Sequence, residues 1–265
     1  MPADDLLLID SPDLGMSAFQ AGAVPVNAPA LRQPNHLAII PDGNRRWARG
    51  RGLTTADGHR TGFLETAPRL LEYLFQAGLP HVTLWMFSPE NWRREQAEVD
   101  NLMDVYAEFL IRMKGLCRSQ GYRINHLGRR DRLPDHLVEE LDLARAATAD
   151  GRRGTFHAGL DYGAETDVAD LVRWSLSSGL PKDASDEQIA DRLARRADPP
   201  GPGARPPSVD LIIRTSGEQR LSGFMPFEGR YSELYFTRTA FPAFDVDELA
   251  HILDWFQGRC RRFGG

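Results

Sequence analysis

The chain has 265 residues, enough to bury a full core, and 42% hydrophobic with 26% charged residues is an ordinary globular balance. A net charge of −5 argues against non-specific nucleic-acid binding, which needs a basic face. No apolar run reaches the roughly 18 residues of a membrane span, and the N-terminus lacks a signal-peptide pattern, so any membrane contact is expected to be peripheral.

Residues 1–33 mix Asp, Pro, Ala and Gly without a sustained period and read as a mobile arm, with residues 34–265 as one folded domain. His36–Ile40, His81–Phe87, Tyr122–Leu127, Gly154–Leu160 and Val209–Arg214 read as strands, and Leu234–Thr237 as a shorter sixth. Glu95–Ser119, Leu133–Ala149, Thr166–Ser177, Asp186–Arg195 and Val246–Arg262 read as helices. A Pro- and Gly-rich stretch from Asp198 to Ser208 holds no regular structure and reads as a surface loop. Several strands are apolar on both faces, which predicts a single α/β domain with a mainly parallel six-stranded sheet flanked by helices. Cys117 and Cys260 fit no metal or redox spacing and read as reduced thiols of a cytoplasmic protein.

In such sheets ligands gather beyond the carboxyl ends of the strands, so the residues there carry the functional signal. The first strand runs into Pro41-Asp42-Gly43-Asn44-Arg45-Arg46-Trp47: a carboxylate suited to Mg²⁺, a Gly-Asn turn that opens backbone N–H groups, and two guanidiniums. The second runs into Ser88-Pro89-Glu90-Asn91-Trp92-Arg93-Arg94. The fifth runs into Arg214-Thr215-Ser216-Gly217-Glu218-Gln219-Arg220-Leu221-Ser222, a phosphate cradle by composition. Tyr231-Ser232-Glu233 adds a carboxylate at the mouth of a strand, and His59 stands in Gly58-His59-Arg60. Three Arg-bearing turns and two carboxylates predict two phosphorylated ligands and a metal. A Walker glycine-lysine loop and a post-strand Gly-x-Gly-x-x-Gly are both missing, which disfavours nucleotide chemistry.

Taken in order, His36–Ala48, Gly58-His59-Arg60, Phe87–Arg94, Arg214–Ser222, Tyr231–Phe236 and the terminal Arg261-Arg262-Phe263-Gly264 resemble the signature set of the cis-prenyltransferases, the undecaprenyl diphosphate synthase family. The resemblance implies condensation of isopentenyl diphosphate with an allylic diphosphate, Mg²⁺ as cofactor, a homodimer, and an apolar tunnel for the growing chain. It implies that Asp42 manages the metal with Glu233 as a second ligand. Gly43, Asn44, Arg45, Arg46, Trp47 and His59 would hold the allylic diphosphate. Ser88 and Asn91 would serve proton removal or positioning, supported by Trp92 and Arg94. Arg214, Arg220 and Ser222 would clamp isopentenyl diphosphate, and Arg262 and Gly264 would complete a neighbouring subunit's site.

Against the family pattern, Thr55 stands where an Arg is common, Pro41 and Pro89 replace other residues, and Gly223 replaces an Asn. Pro226-Phe227-Glu228 replaces a Trp-Gln segment, and Tyr162-Gly163-Ala164-Glu165 lacks an Arg. Phe63 and Met86 stand where long-chain members carry small residues, which predicts a blocked tunnel and a short product. These departures also leave open irregular prenyl coupling, or ionisation and cyclisation of one allylic substrate. A non-catalytic partner subunit is disfavoured, because Asp42, Arg214, Arg220 and Glu233 are all kept.

Overall fold

A computed structural model of the chain describes residues 33–177, 179, 181–189 and 205–260. The N-terminal arm, the second half of the helix expected over Asp186–Arg195, most of the 198–208 loop, and Arg262 and Gly264 lie outside the described residues.

Six strands form one sheet: β1 His36–Ile40, β2 His81–Phe87, β3 Tyr122–Leu127, β4 Gly154–Leu160, β5 Leu211–Arg214 and β6 Glu233–Phe236. Their order is β3-β4-β2-β1-β5-β6, and each neighbouring pair is parallel. The expectation of a mainly parallel sheet is met and exceeded. β5 starts two residues later than expected, and β6 is shifted by one.

Both faces of the central strands are covered, which is why these strands read as continuous apolar runs. Leu37 and Ile39 of β1, with Leu211 and Ile213 of β5, join the larger core cluster. Ala38, Ile40 and Ile212 point the other way, into a smaller cluster with Leu127, Tyr162, Phe224 and Met225.

The helices are α1 Asn44–Arg49, α2 Thr55–Arg60, α3 Ala67–Gln76, α4 Gln96–Gln120, α5 Asp135–Ala147, α6 Ala164–Ser177 and α7 Val246–Gln257, with 3₁₀ turns at Pro89–Arg93 and Phe241–Ala243. α4 is the long one because its buried residues Val99, Leu102, Met103, Tyr106, Phe109, Leu110 and Met113 recur at helical spacing. It stops at Gly121, whose φ of 74° suits a glycine cap. Between α2 and α3 the backbone widens into a π-helical turn over Thr61–Thr66. The Arg112 guanidinium of α4 donates to the Leu64 carbonyl there, and such turns frequently mark functional sites. No described helix is long and apolar enough to cross a membrane.

Candidate active site

The chain leaves β1 on one side towards β2, β4 and β3, and returns on the other as β5 and β6. The carboxyl ends of β1 and β5 therefore meet at the point where the strand order reverses, the expected place for a ligand in an open parallel sheet. Asp42 follows β1 and Arg214 ends β5; Ile40 and Arg214 are register partners.

Arg214 is buried, and its fork is shared among the parts of this mouth. Nη2 donates to Asp42 Oδ2 at 2.9 Å, and Nη1 donates to Ser222 Oγ at 3.0 Å and to the Arg220 carbonyl at 2.5 Å. Thr215 Oγ1 donates to the Asp42 carbonyl at 2.7 Å, locking the two strand ends together. Gly43, with φ 99°, lies so close to the β5 loop that a Cβ would come within 2.5 Å of Ser216 Oγ. Only glycine meets both conditions.

Looser contacts surround this lock. Arg46 Nη2 lies 3.6 Å from Asp42 Oδ1 and 3.4 Å from Glu218 Oε1. Glu218 also pairs with Arg220 at 2.5 Å. Glu98, at the start of α4, gathers Arg94 at 3.0 Å, His59 Nε2 at 3.5 Å and Arg45 at 4.0 Å. Burial is the main cause that drives the His59 ring down to about 4, with Arg94 acting in the same direction and Glu98 opposing. His59 is therefore neutral at pH 7 and available as a hydrogen-bond partner rather than a cation.

Two cavities adjoin along this edge. One of about 490 Å³ runs from Asp42, Asn44, His59, Ser88, Asn91, Arg94, Arg214 and Ser222 down to Phe63, Met86 and Tyr106. The other, of about 330 Å³, is lined by Asp42, Gly43, Asn44, Arg45, Arg46, Arg49, His59 and Arg94. They share Asp42, Asn44, His59 and Arg94, so the carboxylate stands where an Arg-rich chamber meets a larger one that holds Arg94 and Arg214 beside Asp42 and Glu90. Asn44 Oδ1 and Arg214 Nε are buried there with no hydrogen-bond partner, the kind of unspent polar atom a ligand can engage.

The larger cavity ends on packed aromatic side chains. Phe63 meets Tyr106 edge-on at 5.0 Å between ring centres, and further Phe109 at 6.2 Å and Phe241 at 6.0 Å. The buried Tyr106 hydroxyl donates to the Met86 carbonyl, tying the floor to the end of β2.

Not every expected site residue reaches the cavities. Trp92 sits behind the Pro89–Arg93 turn, against Phe87. Trp47 lies under the Arg51 guanidinium, 4.4 Å from its ring centre. Arg220 is exposed and turned to Glu218. Glu233 pairs in register with Leu211, so it stands at the amino end of the sheet, away from Asp42, and it binds Arg259 at 3.0 Å. The described residues contain no group of three or more His, Cys, Asp or Glu placed to hold a metal. Within one chain Asp42 and Glu233 do not form a single ion site; Asp42 alone fits a cation that takes its other ligands from phosphate oxygens, the usual habit of Mg²⁺. Glu98 and Tyr106 had gone unnoticed in the sequence, although Glu98 lies one helical turn from Arg94.

A family model described as "Putative undecaprenyl diphosphate synthase" matches residues 40–264. The isoprenyl transferase 1 of Bradyrhizobium diazoefficiens is 39% identical over 231 residues, covering 87% of this chain and 89% of its own. The isoprenyl transferase of Rhodopirellula baltica is 36% identical over 236 residues, 89% and 95% of the two chains. The crystal structure of lavandulyl diphosphate synthase from Lavandula x intermedia, in complex with dimethylallyl diphosphate, superposes with a TM-score of 0.79 at 33% identity, over 88% of this chain and 99% of that one. This chain belongs to the undecaprenyl diphosphate synthase family of isoprenyl transferases, the cis-prenyltransferases.

Proposed function

We propose that the protein condenses isopentenyl diphosphate with an allylic diphosphate, with Mg²⁺, to a short Z-prenyl diphosphate. The observation that carries this reading is Asp42 standing between two adjoining cavities that both hold arginines, one of which ends on Phe63, Met86 and Tyr106. Two chambers suit two diphosphates. A floor of packed rings suits a chain that stops early.

Residues of this chain supply most of what the reaction needs. Arg45, Arg46 and the start of α1 offer positive charge to the allylic diphosphate as its C–O bond ionises. Mg²⁺, when bound at Asp42, adds charge neutralisation on the leaving diphosphate. Arg214 and Ser222, which line the larger cavity, hold the isopentenyl diphosphate so that its double bond faces the allylic carbon, and positioning does much of the catalysis. Ser88 and Asn91, at the end of β2, stand where a proton lost after bond formation can be received or passed on. No covalent enzyme intermediate is required.

A homodimer is supported by exposed apolar residues on α6, Val168, Val172 and Leu176, and by Phe227 and Leu234 around the edge strand β6. Cys117 and Cys260 are both free, which supports a reducing, cytoplasmic setting. Light scattering of the purified protein tests the dimer: a monomer at working concentration would remove it from the proposal.

A second reading is favoured by the likeness to lavandulyl diphosphate synthase. A lavandulyl group is a branched skeleton that regular head-to-tail condensation does not make, so irregular coupling of allylic diphosphates fits the same pocket. The deciding experiment incubates protein and Mg²⁺ with isopentenyl diphosphate plus dimethylallyl, geranyl or farnesyl diphosphate, and with each allylic substrate alone. Short Z-products that require both substrates and Asp42 support the first reading. Products from an allylic substrate alone move the assignment to irregular coupling or cyclisation, and long polyprenyl products discard the short-chain claim.

A further inference from the structure

Asp161 lies just past β4 with no exposed surface, a carboxylate that lines neither cavity of the site. Its backbone takes a φ of 51°, uncommon for a residue with a side chain. Burial of a carboxylate is costly unless it is paired and hydrogen-bonded. Here it is both. Oδ1 accepts from the Trp92 indole Nε1 at 3.0 Å, and Arg132 donates Nε to Oδ2 at 2.8 Å and Nη2 to Oδ1 at 2.5 Å. The Arg132 guanidinium also lies over the Trp92 ring, 5.5 Å from its centre.

The backbone around Asp161 is tied as firmly. Its carbonyl accepts from Arg129 N, Tyr162 N donates to the Phe87 carbonyl, and the Trp85 indole donates to the Tyr162 carbonyl at 2.8 Å. Gly128, with φ 111°, lets the β3 loop lie against this segment; a Cβ there would come within 2.2 Å of the Leu160 carbonyl oxygen. Three segments thus converge on Asp161, and it hands their rigidity to one side chain, Trp92. That indole belongs to the turn Pro89–Arg93, whose two ends carry Ser88, Asn91 and Arg94 into the larger cavity.

We infer that Asp161 is a positioning residue: through its bond to the Trp92 indole, backed by Arg132, it sets the turn that presents Ser88, Asn91 and Arg94 to the reacting substrates. It touches no substrate itself. The inference rests on the prenyl-transfer reading for its effect on turnover, though its structural core does not.

Asp161→Gly tests it cleanly, since glycine accepts the positive φ and only the carboxylate is lost. Asp161→Asn keeps an acceptor for the indole, and Trp92→Phe keeps the ring but removes the donor. In folded protein, Asp161→Gly and Trp92→Phe should each lower kcat by about 10- to 100-fold, the effect expected of displaced reacting groups, with KM for both diphosphates little changed. The double variant should be no slower than the worse single one, and Asp161→Asn should recover most of the loss. Hydrogen exchange of the amides of residues 88–94 should quicken in Asp161→Gly and Trp92→Phe alike. Wild-type kcat in Asp161→Gly, multiplicative losses in the double variant, or unchanged exchange at 88–94 would each overturn the inference. If Asp161→Gly does not fold, Trp92→Phe carries the same kinetic and exchange tests. If wild-type protein transfers no prenyl group, the proposed function fails, while the exchange measurement still decides the role of Asp161.

Discussion

The two ends of this sheet are both rich in polar side chains, yet they use them in opposite ways. At the amino end the histidines are spent on neighbouring polar groups, although Arg123 Nε is buried there without a partner. His36 Nε2 meets Thr83 Oγ1 at 2.7 Å and its Nδ1 meets the Pro207 carbonyl at 2.9 Å. His157 lies between His81 and Asn125, 3.2 Å from each. At the carboxyl end Asn44 Oδ1 and Arg214 Nε are buried without partners, and Arg45 and Arg46 are held by contacts of 3.4 to 4.0 Å. Among the described residues, all four non-glycine residues with positive φ, Asp161, Ser216, Ser222 and Met225, follow β4 or β5 at that same end. The backbone strain and the unpaired polar atoms beside Asp42 stand where a ligand can repay them, whereas the histidine network helps to hold the fold.

The sharpest way to break the comparison is to remove the centre of the unspent end. Asp42→Ala should lower kcat/KM by about 10³-fold or more under saturating Mg²⁺, with the thermal midpoint little changed, because Asp42 is partly exposed and its removal opens no core cavity. Arg214→Lys should cost about 10²-fold, since a lysine keeps the charge but cannot serve Asp42, Ser222 and the Arg220 carbonyl together. Steady-state kinetics beside a melting curve separate the two kinds of loss; a large drop in midpoint without loss of rate would place Asp42 among the structural groups.

The cavity floor should behave like the structural end. Phe63→Ala removes a ring packed on Tyr106, Phe109 and Phe241 and should cost roughly 3–5 kcal/mol of stability, read from urea unfolding. In the milder Met86→Ala variant the floor should deepen, and product analysis should shift to longer chains with turnover kept. Unchanged product length in both variants would detach the floor from chain termination.

Much of this arrangement was legible in the sequence, for a physical reason. Strands such as Leu37–Ile40 are buried on both faces, so their apolar runs stand out, and the Arg-bearing turns after β1, β2 and β5 follow directly. The helical stretch from Asn44 to Gln76 was not foreseen as helices. Gly50, Gly52, Gly58, Gly62 and Pro68 punctuate it, and its turns are held by tertiary contacts such as Thr66 Oγ1 to the Pro242 carbonyl at 3.0 Å. Glu233 was recognised at a strand, but a sequence does not tell which end of a six-residue motif faces the ligand; the β5–β6 register does. Asp161 gave no local signal, because it acquires its meaning from Arg132 and Trp92, far along the chain, whereas Glu98 had one in Arg94 four residues earlier and only its contact with His59 is long-range.

The smallest effect follows from two buried histidines, His36 at the amino end of β1 and His126 near the carboxyl end of β3, and has a definite sign. Burial, with the neighbouring His81 adding to it, lowers His36 from its ordinary value to about 4 despite the Pro207 carbonyl and Asp210. His126 is lowered to about 4 as well, chiefly by burial, against the opposing bond to the Leu160 carbonyl. Above the unfolded value near 6.5 both states leave these rings neutral, and their contribution is fully present. Between 6.5 and 4 the unfolded chain binds protons that the folded chain refuses, so stability is lost as pH falls. Each such histidine should remove about 1 kcal/mol between pH 6.5 and 5.5, visible as a lower urea midpoint. His126→Asn should reduce that slope by about one histidine's share. An equal slope in wild type and His126→Asn would mean that His126 is protonated in the folded protein, and that its surroundings near the end of β3 are wetter than their packing implies.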